Sequence, residues 1–172
     1  YMDGEGFLYL SGRAKDLIIR SGHNIDPELI EEALNAHSNV VISIAIGLPD
    51  PYAGELPMAY VVKVAHSNVT EQELINHCAS VMSERAAIPK RIEFIDAMPL
   101  TAVGKIFRPT LRQSIAEQVI RELLTGKSMD ATVTSEIEKK RGLVLRIDVI
   151  DKTKVDEVKK LVEGYVFTSE VN

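Results

Sequence analysis

The chain has little with which to grip nucleic acid, cross a membrane or hold a metal. Its 20 Lys and Arg are outnumbered by 25 Asp and Glu, for a net charge of −5. No long basic run gathers the cations, so the electrostatic footprint of a nucleic-acid binder is absent. No stretch approaches the ~18 apolar residues of a membrane-spanning helix, and the first residues lack the charged-then-apolar order of a secretory signal. A cytoplasmic protein without a membrane span is expected. The single cysteine, Cys78, cannot close an intramolecular disulfide, and it falls in a helical pattern where a small buried side chain fits, so a core thiol is expected. The four histidines, His23, His37, His66 and His77, show no paired ligand spacing with Cys78 or with acidic residues, so no metal site is expected in this chain. There is no internal repeat.

What is present suits a folded protein. A chain of 172 residues that is 45% hydrophobic and 26% charged can build one ordinary core, or a core with a small appendage. It opens with Tyr1 and the glycine-dense Asp3-Gly4-Glu5-Gly6, which reads as a chain cut from a longer one with the missing part upstream.

Two short apolar runs, 7–10 and 17–20, flank the polar Gly12-Arg13-Ala14-Lys15-Asp16 and predict a small antiparallel pair. After the turn Ser21-Gly22-His23-Asn24, Asp26 is placed as an N-cap with Pro27 at the first helical position, and Leu29, Ile30, Ala33 and Leu34 follow at helical spacing. The β-rich runs 40–46 and 58–64 should pair across a loop at 47–54. Thr70 and Glu73 form a capping box for a helix ending near Arg85, with Leu74, Cys78, Val81 and Met82 on its apolar side. Residues 88–95 read as an edge strand entered through proline, and a last helix runs from Pro109 with Leu111, Ile115, Val119 and Leu123 on one side.

The order ββαββαββα predicts an α+β domain over 1–124, with small mixed or antiparallel sheets flanked by helices. From Thr125 a polar linker leads into a small ββαβ unit over 125–172. Leu143, Leu145, Ile147 and Val149 line one strand face, and Val155, Val158, Leu161, Val162 and Tyr165 line one helix face. So small a unit should dock on the main domain or on another chain.

A lysine beside a glycine in a loop, as at Gly104-Lys105, is by itself an ordinary solvated side chain. Here it closes a series of four partial motifs. The first is Gly12-Arg13-Ala14-Lys15-Asp16, and the second runs from Ser21-Gly22-His23-Asn24-Ile25 through Pro27 to Ile30-Glu31. Gly54-Glu55-Leu56-Pro57 follows, then Pro99-Leu100-Thr101-Ala102-Val103-Gly104-Lys105-Ile106-Phe107-Arg108. In that order they resemble the C-terminal domain of AMP-forming acyl-coenzyme A synthetases, over about residues 1–124.

The resemblance implies a ligase that joins a carboxylic acid to ATP, releases pyrophosphate, and passes the acyl group to the thiol of CoA. Lys105 would bring positive charge to the meeting of carboxylate and α-phosphate, and Gly104 would let its loop enter a crowded site. Lys15 would be the hinge between the two half-reactions. Arg13 would reach the ribose hydroxyls of the adenylate, its plain alternative being a surface ion pair with Asp16. Ser21, Gly22 and His23 would line the pantetheine channel, although Gly22 can serve the turn alone and His23 can be an ordinary exposed histidine. ATP with Mg2+ would be held mainly by the N-terminal nucleotide-binding domain missing here, which would be this chain's partner, and the chain should be inactive alone. Two alternatives are an adenylation domain that loads a carrier protein, and a non-catalytic regulatory or interaction module.

Overall fold

The computed structural model describes residues 16–172. The expected strand at 7–10, Arg13 and Lys15 lie outside the described residues. The chain divides into two compact units: Gly47–Leu56 groups with Ala97–Asn172, and the first unit ends at Asp96.

In the first unit, β1 (Ile18–Arg20) and β2 (His23–Ile25) form an antiparallel hairpin with Arg20 opposite His23. His23 and Asn24, expected in the turn, are therefore strand residues. Ser21 at φ 50° and Gly22 at φ 81° make the turn alone. Two consecutive left-handed residues match the right-handed twist of a tight hairpin, and no longer loop is needed. Helix α1 (Pro27–Asn35) starts as its sequence dictates, with the Asp26 side chain accepting from the Glu28 N–H at 3.0 Å. It buries Ile30, Ala33 and Leu34, whereas Leu29 is exposed. Helix α2 (Glu71–Val81) carries the capping box: the Thr70 hydroxyl accepts from the Glu73 N–H, and the Glu73 carboxylate accepts from the Thr70 N–H at 2.8 Å. That pairing holds the Glu73 carboxyl below its ordinary range, through the Thr70 backbone first and its hydroxyl second. The helix stops at Val81, which is exposed, and a separate single turn covers Arg85–Ala87.

Strands β3 (Val40–Asp50) and β4 (Gly54–Lys63) are longer than their apolar runs. Most of the expected 47–54 loop is strand, and Asp50 closes a tight tip by accepting from the Tyr52 and Ala53 N–H groups at 2.9 and 2.7 Å. Proline in β3 is tolerated because β3 is an edge strand. The sheet runs β2-β1-β4-β3, and β5 (Arg91–Phe94), shorter than the 88–95 expected, pairs parallel with β4. Its core joins Ile18, Ile25, Ala59, Val61 and Ile92 to Ile30, Leu34, Leu74 and Cys78. Burial raises the Cys78 thiol to about 11, as a core thiol requires.

In the second unit, α3 (Arg108–Gly126) runs through the expected linker at Thr125 and Gly126. Its buried residues are Leu111, Ile115, Ala116, Ile120 and Leu124, while Val119 and Leu123 only flank the core. Strands β6 (Ala131–Glu138) and β7 (Gly142–Val149) pair antiparallel, and β8 (Thr168–Val171) pairs parallel with β7 after helix α4 (Val155–Val162). Leu145, Ile147 and Val149 pack with Ala116, Ile120 and Leu124 of α3 and with Val158 and Val162 of α4. The C-terminal strands thus dock on α3, the last helix of the domain expected over 1–124. The ββαβ order is as read, and the whole is an α+β fold.

One device recurs at the sheet edges. The Asn35 side chain of α1 accepts from the Ser43 N–H of β3 at 2.8 Å, and Glu31 accepts from Ala45 N–H at 2.8 Å. Glu71 of α2 accepts from the Ile92 N–H of β5 at 2.9 Å. Arg121 and Gln113 of α3 donate to the Val133 and Ser135 carbonyls of β6 at 2.7 and 3.3 Å. Edge groups that would otherwise solicit another strand are met from within the chain.

Candidate functional site

Lys105 follows a five-residue reversal that its neighbours dictate. The Thr101 carbonyl accepts from the Gly104 N–H at 2.9 Å, and the Thr101 N–H donates to the Lys105 carbonyl at 2.7 Å. This is the pattern of a tight turn closed by a bulge whose glycine is left-handed, and Gly104 has φ 77°. The Thr101 hydroxyl accepts from the Lys105 N–H at 3.1 Å, so one threonine makes three bonds to the glycine-lysine pair. A bridge between Leu100 and Ile106 and a 2.8 Å bond from the Phe107 N–H to the Pro99 carbonyl close the hairpin below. One residue further on, α3 begins at Arg108.

The hairpin presents Lys105 outward. Val103 is 79% exposed and Leu100 60%, and Lys105 is exposed as well. Nothing lies within 4 Å of the position a Cβ would take at Gly104. Among the described residues no carboxylate pairs with the Lys105 ammonium. Sequence reasoning missed Thr101, whose signal is its place three residues before the glycine.

The second expected site lies in the first unit. Ser21, Gly22 and His23 are brought together at the β1–β2 turn, all exposed. Nothing lies within 4 Å of a Cβ built on Gly22. Its φ of 81° calls for glycine, no packing contact does, and the space beside it is open. His23 is not idle: its Nε2 lies 2.8 Å from Oε1 of Glu84. Arg20 beside it donates to the Ala86 carbonyl at 2.8 Å. These two contacts pin the hairpin to the segment around Arg85, and Glu84 and Ala86 carry no motif by which sequence could have named them. The Gly54-Glu55 pair starts β4, where a Cβ on Gly47 would lie 2.3 Å from the Glu55 side chain. The absent side chain at Gly47 is what lets that carboxylate lie across the hairpin.

Among the described residues no group of three or more His, Cys, Asp or Glu could hold a metal ion, and no helix is long and apolar enough to cross a membrane.

Residues 29–105 match the family described as the AMP-binding enzyme C-terminal domain, and the match ends on Lys105. The chain carries an AMP-binding enzyme C-terminal domain. Curated relatives of this domain include marinolic acid–CoA ligase of a Pseudoalteromonas species, 44% identical over 136 residues, covering 79% of this chain and 20% of the relative. Another is 2-succinylbenzoate–CoA ligase of Bacillus cereus, 40% identical over 117 residues, or 68% of this chain and 24% of the relative. Among solved structures, a Mycobacterium tuberculosis fatty acyl CoA synthetase superposes with a TM-score of 0.58 at 36% identity, over 67% of this chain and 23% of that one. ATP-bound MatB from Rhodopseudomonas palustris gives 0.60 at 30% identity, over 66% and 22%. The chain therefore spans about a quarter or less of the length of these relatives.

Proposed function

We propose that this chain is the lid of an AMP-forming acyl-CoA synthetase, acting with a nucleotide-binding domain that supplies the rest of the site. The observation that carries the reading is the Lys105 hairpin: an exposed ammonium, unpaired among the described residues, on a turn fixed by Thr101 and Gly104. Adenylation brings a carboxylate against the α-phosphate of ATP. Both are anions, and a positive charge that reaches both oxygens stabilises the transition state more than either reactant. Lysine suits this because its charge is a compact point on a long stem. With no partner among the described residues, the charge has no ion pair there to break on delivery.

The open turn at Gly22 suits the second half-reaction, where a slender pantetheine arm must pass close to backbone to bring the CoA thiol to the acyl carbon. Arg13 and Lys15 keep their proposed roles at the ribose and the hinge on the strength of the resemblance. The Mg2+ that accompanies ATP finds no set of ligands among the described residues.

The test uses the lid joined to its nucleotide-binding domain. Lys105→Ala should lower adenylate formation, read as pyrophosphate exchange, by roughly 10²- to 10³-fold, the scale of a lost transition-state charge. Thioester formation from supplied acyl-adenylate should persist, and an equal fall in both half-reactions would reject the assignment.

A further inference from the structure

Three of the edge strands, β3, β5 and β6, have main-chain groups met by side chains of a packed helix. Strand β8 is different. It ends the β6-β7-β8 sheet. Its Asn172 N–H donates to the Ile147 carbonyl at 3.0 Å, and the Asn172 carbonyl accepts from the Val149 N–H at 2.9 Å. Alternation along a parallel strand then turns the peptide groups of Glu170 toward β7 and those of Ser169 and Val171 outward. Among the described residues nothing bonds to those outward groups. Ser169 and Val171 also line a groove whose other wall is α4, through Lys159, Lys160 and Glu163. Both lysines are exposed, and Lys159 has only a loose 3.8 Å contact to the exposed Asp156.

A strand edge without a partner among the described residues, beside a helix wall that carries two lysines and one carboxylate, Glu163, is a seat for one more strand. We propose that the α4–β8 groove binds an extended acidic peptide segment of a partner protein, which adds to β8 as a fourth strand and places its carboxylates against Lys159 and Lys160. The main chain of Ser169 and Val171 supplies the pairing, and the lysines supply the preference for acid. A second copy of this chain fits less well, because pairing two β8 edges about a two-fold axis sets the lysine walls of both copies against one groove. This groove uses none of the residues of the Lys105 hairpin, so it stands or falls separately from the adenylation role.

Fluorescence anisotropy of the full chain with a labelled seven-residue probe, Thr-Val-Glu-Val-Glu-Val-Asp, tests it. Saturable binding is expected, weakening as salt rises. A probe with lysine in place of its acids should bind roughly three- to tenfold or more weakly, as should the Lys159→Glu, Lys160→Glu double variant, the scale of two exposed ion pairs. A probe N-methylated at alternate residues, which cannot pair along one edge, should lose binding while the protein is untouched. No binding of the first probe overturns the proposal, as does equal binding of the N-methylated or lysine probe. Sedimentation showing that the chain dimerises through β8, with Ser169→Pro abolishing the dimer, would also overturn it in favour of a second copy.

Discussion

At the scale of single residues, Thr101 holds the position of Lys105 and does so through three bonds. Thr101→Val keeps the shape and removes the hydroxyl, at a cost of about 1 kcal/mol or slightly more to the hairpin. In the two-domain enzyme it should lower adenylation severalfold and leave transfer from supplied adenylate unchanged, and Thr101→Ser should restore the rate. Full adenylation by Thr101→Val would show that the hydroxyl bond to Lys105 is dispensable. Cys78 gives a cleaner measurement. With its thiol raised to about 11 by burial, labelling by a thiol reagent at pH 8 should be slow and should jump when urea unfolds the chain. The core thiol, the Asp26 cap and the Thr70 box were legible in sequence because each depends on residues within a few positions. The Glu84 partner of His23 was not, since 61 residues separate them and only the fold brings them together.

Elements were legible where a local signal starts them and less so where tertiary contacts end them. Helix starts at Pro27 and Glu71 sit where capping chemistry puts them. Strands β3 and β4 overran their apolar runs because cross-strand pairing, not hydrophobicity, extends a hairpin. The outer side of the β6-β7-β8 sheet carries a network that no short motif signals. Arg146 forks onto Glu136 at 2.7 and 2.9 Å and reaches Glu170 at 3.0 Å, while Arg141 bonds Glu138 and Glu170. Hydrogen bonds from Arg141, and at Glu170 also from Arg146, hold the Glu138 and Glu170 carboxyls below their ordinary range. A carboxyl depressed by folding contributes stability that is fully present above its unfolded value and is lost as pH falls through its folded value. The urea midpoint should therefore fall as pH drops below about 4.5, and an Arg141→Gln, Arg146→Gln chain should show a weaker pH dependence. Equal slopes would show the network to be energetically idle. At the β1–β2 turn, Gly22→Leu must adopt φ 81°, a strain of roughly 1–2 kcal/mol. Gly22→Asn tolerates that conformation, so if a ligand needs the open space, Asn should impair thioester formation without a matching loss of stability.

For the whole molecule, the α+β class and the appended ββαβ order follow from periodicity and turn residues, but its partition into units does not. The polar stretch at 125–128 resembles a linker, and the helix passes into it because Ile120, Leu124 and Met129 face the β7 residues Leu145 and Ile147. Such pairings across the sequence leave no trace in composition. Cutting the chain after Gly126 would strip α3 of that cover and should yield insoluble protein. Ile30→Ala and Ile120→Ala, each truncating a fully buried side chain, should cost about 2–5 kcal/mol. Unfolding followed by hydrogen exchange should assign the losses to different units.

The dependence of α3 on strands made after it also has a meaning in time. Synthesis at roughly 5–20 residues per second leaves the helix behind Lys105 waiting several seconds for β8 to be made. Through that interval its apolar stripe is open to chaperones and to other nascent chains, so the hairpin that bears the lysine is among the last parts of the protein to gain a firm foundation.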